Sequence, residues 1–199
     1  MQSKSKPRLS RGSAPYRRAM LKTLDQAEKF WDIPILGAER TAALTRLIAE
    51  HRSRNALEIG SLLGYSAIAI AEALGPKGCL ICVEANPYLA KFVVNNVERA
   101  GLAKRVQVVV QDARQPVSAI QGPLDFVFID AAKEQYIEYL KAVENRLASG
   151  AVVVADNVKK FRRDVSAYLD YVRIPNGNYE SHTHDFKHDA MEISIFRGN

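Results

Sequence analysis

The chain has 199 residues, 47% hydrophobic and 25% charged, which suits one well-buried globular domain and is short for two. No apolar run approaches the ~20 residues of a bilayer span, the first residues carry no secretory apolar core, and two cysteines do not amount to a disulfide framework, so a reducing cytoplasm is expected. The net charge of +6 is concentrated in residues 1–24, where Lys4, Lys6, Arg8, Arg11, Arg17, Arg18 and Lys22 stand without an acid and beyond which 21 basic residues face 22 acidic ones. Residues 1–15 therefore read as a basic, flexible leader, with a phosphate-binding arm or an organellar transit peptide as the alternatives, and residues 16–199 as a single domain.

Apolar residues at helical spacing predict a helix from Tyr16 to Phe30, broken by Pro34, and a second from Ala38 to His51. An alternation of strands and helices follows. Strands are expected at 55–60, 79–84, 105–112, 125–130 and 151–157; helices at 65–74, 87–100, 133–147 and 165–172; a short helix or turn at 117–120. The chain closes on two strands around a turn near 187–189. Near-continuous apolar strands separated by helices imply an α/β fold with a mostly parallel sheet covered on both faces.

In such sheets ligands bind beyond the carboxyl ends of the strands, near the point where strand order reverses, so the residue each strand ends on is diagnostic. The first strand carries Glu58 and runs into Gly60-Ser61-Leu62-Leu63-Gly64-Tyr65-Ser66, two glycines four apart that let a ligand approach the backbone but do not form the dinucleotide fingerprint. The second ends on Glu84, 24 residues after Gly60, near the spacing of a ribose-binding acid; the third ends on Asp112-Ala113. Taken singly each acid reads as a helix cap, with Asn86 before Pro87 the plainest case; taken together they favour a nucleoside pocket. The next two strands end on Asp130 and on Asp156-Asn157. On neighbouring strands ~4.8 Å apart these would converge into an oxygen-only site suited to Mg²⁺, Mn²⁺ or Ca²⁺ rather than zinc, although Asp and Asn are also ordinary loop residues.

Two other patterns carry less. Cys79 and Cys82 have a metal-like spacing, but three residues apart on a strand they face opposite ways. His182 and His184 share a strand face, but with His188 no cysteine or nearby acid pairing completes a convincing zinc site, and the segment reads as an exposed edge strand.

From Ala56 to Asn199 the chain resembles the metal-dependent, S-adenosylmethionine-using O-methyltransferases that include the catechol and caffeoyl-CoA enzymes. The segments LEIGSLLGYSA, EANP, GPLDFVFIDAAKEQY and ADNV occur in the family's order and spacing, and EANP together with the short segment after ADNV lies nearer the catechol branch. The resemblance implies a Rossmann-like class I fold with seven strands, the last antiparallel. It implies that Glu58, Gly60, Ser61, Gly64, Tyr65 and Ser66 form the methionine side of the cofactor site, that Glu84 takes the ribose hydroxyls, and that Asp112 and Ala113 lie by the adenine. Asp130, on the cofactor side as well, matches a metal ligand together with Asp156 and Asn157, and Lys133 matches the family's general base. The activity implied is methyl transfer to a hydroxyl of a catechol-like small molecule chelated by Mg²⁺, Mn²⁺ or Ca²⁺.

Ala132 departs from the second acid often found in the family's DxDK stretch, a position that is not a ligand there. The run Val158-Lys159-Lys160-Phe161-Arg162-Arg163 is strongly basic; with the leader it motivates a second reading, a tRNA hydroxyuridine O-methyltransferase of the same fold. A non-catalytic cofactor-binding protein is a third, disfavoured by the intact set of Asp130, Lys133, Asp156 and Asn157. Family members occur as monomers and dimers, so a homodimer is compatible with the sequence.

Overall fold

The computed structural model describes residues 10–31 and 33–198. The first nine residues, which hold most of the expected leader, lie outside it. Helices α1 (Ala14–Trp31) and α2 (Ala38–Glu50) precede the alternation β1 (Asn55–Ile59), α3 (Tyr65–Ala73), β2 (Cys79–Glu84), α4 (Pro87–Arg99), β3 (Val106–Val110), β4 (Leu124–Ile129), α5 (Tyr136–Val143), β5 (Leu147–Ala155), α6 (Ser166–Val172), β6 (Tyr179–Asp185) and β7 (Ala190–Phe196). The seven strands lie in the order β3-β2-β1-β4-β5-β7-β6, with β7 antiparallel to both neighbours. Strand order reverses between β1 and β4, which places the crevice of an open α/β sheet beside their carboxyl ends.

Strand parity sorts the core into two layers. Phe126, Phe128, Val152 and Val154 face α1–α4 with Ile68, Val93 and Val97, while Val127, Ile129, Val153 and Ala155 face α5 and α6 with Tyr136, Leu140, Tyr168 and Leu169. Burial on both sides is why the strands read as unbroken apolar runs. Helix α4 starts as its sequence dictates: Asn86 Oδ1 accepts from the amides of Tyr88 (2.9 Å) and Leu89 (3.3 Å), with Pro87 in the first turn.

Three expectations need adjustment. The helix expected over 133–147 is divided, with single 3-10 turns at Lys133–Gln135 and Glu144–Arg146 flanking α5. The strand expected at 151–157 begins at Leu147, hidden in the sequence by Ser149-Gly150, and ends at Ala155, so Asp156 and Asn157 lie just past it. The strand expected at 105–112 ends at Val110, so Asp112 and Ala113 lie beyond it, while the segment 117–120 takes the turn form, one of its two expected readings. Among the described residues no helix is long and apolar enough to cross a membrane. Cys79 is exposed and Cys82 buried, as opposite strand faces require, and His182 and His184 are exposed on the edge strand β6.

Gly60 is the tightest point of the central crevice. Its φ of 88° suits glycine, and a Cβ there would fall against the carbonyl oxygen of Asp130, a backbone atom of the neighbouring strand. Gly60→Ala is expected to destabilise the fold by about 2–4 kcal/mol, whereas Gly122→Ala, where a Cβ meets nothing within 4 Å, should stay within about 0.5 kcal/mol of wild type. Urea unfolding of the two variants checks this, and equal effects would refute it.

Candidate active site

Parallel register aligns the strand ends into one row. Val83, Ile59, Ile129 and Ala155 are partners across β2, β1, β4 and β5. The residues one step further, Glu84, Gly60, Asp130 and Asp156, therefore stand side by side at the carboxyl edge. Backbone bonds extend the ladder through this row: Gly60 N to Val83 O (2.9 Å), Asp130 N to Ile59 O (2.9 Å) and Asp156 N to Ile129 O (3.0 Å).

Two cavities meet along it. One, of about 540 Å³, is lined by Gly60, Ser61, Tyr65, Ser66, Asp130, Lys133, Asp156 and Asn157, with Leu36 and Arg40 from the α1–α2 connection and the start of α2, and Lys160 and Phe161 from the loop after β5. The other, of about 430 Å³, is lined by Glu84, Asp112, Ala113 and Tyr139. Gly60, Leu62, Asp130 and Ala131 belong to both.

At the seam, Lys133 Nζ donates to Asp130 Oδ1 at 2.7 Å and to Tyr136 Oη at 2.9 Å. Tyr136 spends its own proton on the Asp156 carbonyl at 3.1 Å. Burial, with Asp130 and Asp156 adding, pushes the Tyr136 phenol well above its ordinary range, so it remains a donor. Lys133 also lies 5.8 Å from the centre of the Phe161 ring.

Asp156 is 1% exposed, and its Oδ2 accepts from Arg40 Nη1 at 2.8 Å. Burial, with the Asp130 charge adding, raises its pKa against the opposing pull of Arg40. Its Oδ1 is buried without a hydrogen-bond partner. Asn157, at φ 63°, donates Nδ2 to Asp189 Oδ2 at 2.8 Å, leaving Oδ1 as the acceptor end of its amide. Partial burial pushes Asp189 up, but the amides of Lys160 and Ala190, the Asn157 side chain and the amide of Lys159 together hold its carboxyl below the ordinary range. An orphaned buried carboxylate oxygen beside a second carboxylate and an oriented amide fits a hard divalent cation. Among the described residues no group of three or more His, Cys, Asp and Glu forms a further metal site.

On the other side, Glu84 accepts from the amides of Ser61 (3.2 Å), Leu62 (3.1 Å) and Asn86 (2.9 Å), tying the glycine turn to β2. Asp112 pairs with Arg114 at 2.5 Å, which lowers its pKa. Gly64 and Glu58 line neither cavity. Gly64 precedes α3 at φ 81°, where a Cβ would press on Val93, and Glu58 is buried beneath the turn, accepting from Ser61 Oγ at 2.6 Å. Burial pushes the Glu58 carboxyl up to about 7; Ser61, Ser66 and Cys82 pull it down and Asp130 adds to the rise. Its Oε1 has no hydrogen-bond partner.

The structure thus gathers Gly60, Ser61, Tyr65, Ser66, Glu84, Asp112, Ala113, Asp130, Lys133, Asp156 and Asn157 around two adjoining cavities. Sequence reasoning missed Tyr136, Asp189 and Arg40. Tyr136 stands three residues beyond Lys133 and was open to notice; Arg40 lies 116 residues from its partner, with no local signal.

A family model described as O-methyltransferase matches residues 12–167. The catechol O-methyltransferase of Mycobacterium tuberculosis is 37% identical over 150 residues, covering 74% of this chain and 66% of that protein. That of Niastella koreensis is 40% identical over 111 residues, covering 54% and 50%. The chain spans half to just under two-thirds of the length of these relatives. The crystal structure of the O-methyltransferase TomG from Streptomyces achromogenes, involved in tomaymycin synthesis and in complex with SAM, matches with a TM-score of 0.76 at 26% identity and covers 89% of each chain.

Glu58 gives the site a pH signature. Its folded pKa of about 7 lies above the ordinary 4.5, so the native state holds a proton that the unfolded chain releases. That contribution to stability is complete below about pH 4.5 and is lost as pH rises to about 7. Relative to wild type, Glu58→Gln should gain roughly 2–4 kcal/mol of stability between about pH 5 and 8. Urea unfolding across that range tests it, Asp156 being common to both proteins, and a difference independent of pH would refute it.

Proposed function

From the premise that the chain belongs to the O-methyltransferase family, we propose that it transfers a methyl group from S-adenosylmethionine to one hydroxyl of a catechol-like small molecule. The observation that carries this reading is Asp130: it lines both cavities, holds Lys133 and stands beside Asp156. When bound, S-adenosylmethionine supplies an electrophilic methyl group, and a divalent cation of the Mg²⁺ class lowers the pKa of the acceptor hydroxyl and fixes its position.

Asp130, Asp156 and Asn157 would hold the cation. Glu84, Asp112 and Ala113 would hold the nucleoside in the smaller cavity; Gly60, Ser61, Tyr65 and Ser66 would hold the methionine end, with Glu58 and Gly64 shaping the turn beneath. The acceptor ring would lie in the larger cavity near Phe161. In its neutral form, Lys133 Nζ takes the acceptor proton as the oxygen attacks, held in reach by Asp130 and by Tyr136 Oη. Confining both reactants along one seam removes much of the entropic barrier.

Methyl transfer to a panel of catechols, with Mg²⁺ and then with a chelator, tests the reading. Chelation should abolish turnover, and Lys133→Ala should lower kcat by about 10²–10⁴-fold while leaving the fold intact. Turnover that survives either treatment would overturn the corresponding part.

A second reading, methylation of hydroxyuridine in tRNA, draws on the exposed Lys159, Lys160, Arg162 and Arg163 beside the acceptor cavity and on the basic residues 1–15. Deleting residues 1–15 should weaken tRNA binding and leave catechol turnover unchanged if this reading holds. Unaltered tRNA binding, measured by filter retention, would count against it.

A further inference from the structure

Resting on the reading of Asp156 as a cation ligand, we propose that Arg40 is a resident counter-cation that competes with the divalent ion for Asp156 and is displaced from it as the ion binds. Arg40 donates Nη1 to Asp156 Oδ2 at 2.8 Å and Nε to the Leu36 carbonyl at 2.9 Å. The guanidinium is thereby held between the α1–α2 connection and the buried carboxylate, and it cannot shed its charge as a lysine can.

Charge balance makes the contact consequential. Asp130 already faces Lys133 at 2.7 Å and Asp156 faces Arg40 at 2.8 Å, so two monovalent cations match the two carboxylates. A divalent ion added to that pairing leaves two positive charges in excess, in a site where desolvated charge is costly unless matched. Lys133 packs between Asp130, Tyr136 and the Phe161 ring, whereas the Arg40 side chain is 23% exposed and has solvent to retreat into. Arg40 is therefore the cation that yields. Until it does, Asp156 offers only Oδ1, the atom left without a partner. Arg40 sets how tightly the ion is held; it is a positioning residue, not a catalytic one.

Mn²⁺ titration of the full chain without acceptor, followed by the EPR signal of free Mn²⁺ at about pH 8, tests the proposal by binding rather than turnover. Arg40→Met keeps much of the side-chain stem and removes the competing charge; it should bind Mn²⁺ at least about tenfold more tightly than wild type. Arg40→Lys, which keeps the charge and loses the fork, should fall between the two and guards against a folding artefact in the methionine variant. Adding Asp156→Asn to Arg40→Met should abolish the gain. Unchanged or weaker binding in Arg40→Met, with binding still sensitive to Asp156→Asn, overturns the role of Arg40 alone. Binding insensitive to Asp156→Asn in every background overturns the reading of Asp156 as a ligand, and this proposal with it.

Discussion

Two carboxylates cannot stand side by side at the end of a buried sheet without compensation, and most of the candidate site follows from that constraint. At ~5 Å and an effective dielectric of ~20, the repulsion of two such charges is ~3 kcal/mol. The fold answers with one cation for each: Lys133 on Asp130 and Arg40 on Asp156, the first local in sequence and the second from a distant segment. Tyr136 joins the halves by accepting from the lysine and donating to the Asp156 backbone. Glu58, a third acid one layer below, meets the same constraint by burial, which raises its pKa. What remains at the edge is one spare carboxylate oxygen, Asp156 Oδ1, beside Asp130, suited to a further positive charge.

Holding that edge in place is a matter of backbone. β1 and β4 are central strands, covered by apolar layers on both faces, and their terminal amides continue the ladder into Gly60, Asp130 and Asp156. The absence of a Cβ at Gly60 lets the Asp130 carbonyl come into contact with the turn. Glu84 then fastens the same turn through the amides of Ser61 and Leu62. An acid expected to meet a ribose is thus also part of the scaffold, with the turn amides occupying Oε2.

The sheet was legible in the sequence because apolar strand runs and glycine or acid punctuation are local signals. The row of Glu84, Gly60, Asp130 and Asp156 could be inferred because each ends a strand, and parallel strands share their ends. The broken helix after Lys133 was not legible, since 3-10 turns have little periodicity of their own. Nor was the start of β5, where Ser149 and Gly150 mimic a turn. Arg40 was beyond reach for a different reason. Its partner is set by how α2 lies over the sheet, and ion pairing across 116 residues leaves no trace in spacing or composition.

The terminal hairpin shows how a distant element can set a side-chain orientation. Asn157 occupies the left-handed region, a conformation asparagine tolerates better than most residues but which still costs energy. Asp189, in the turn between β6 and β7, accepts from the Asn157 amide and from the backbone of Lys159, Lys160 and Ala190. Four donors on one carboxylate fix the loop after β5 against the hairpin and commit the nitrogen end of the asparagine amide. An antiparallel β7 makes this geometry available: running back along β5, it returns the β6–β7 turn to the carboxyl edge, where a parallel strand would have begun at the opposite end. The departure from parallel pairing is thus what brings the acid that orients Asn157 to the same edge as Asp130 and Asp156.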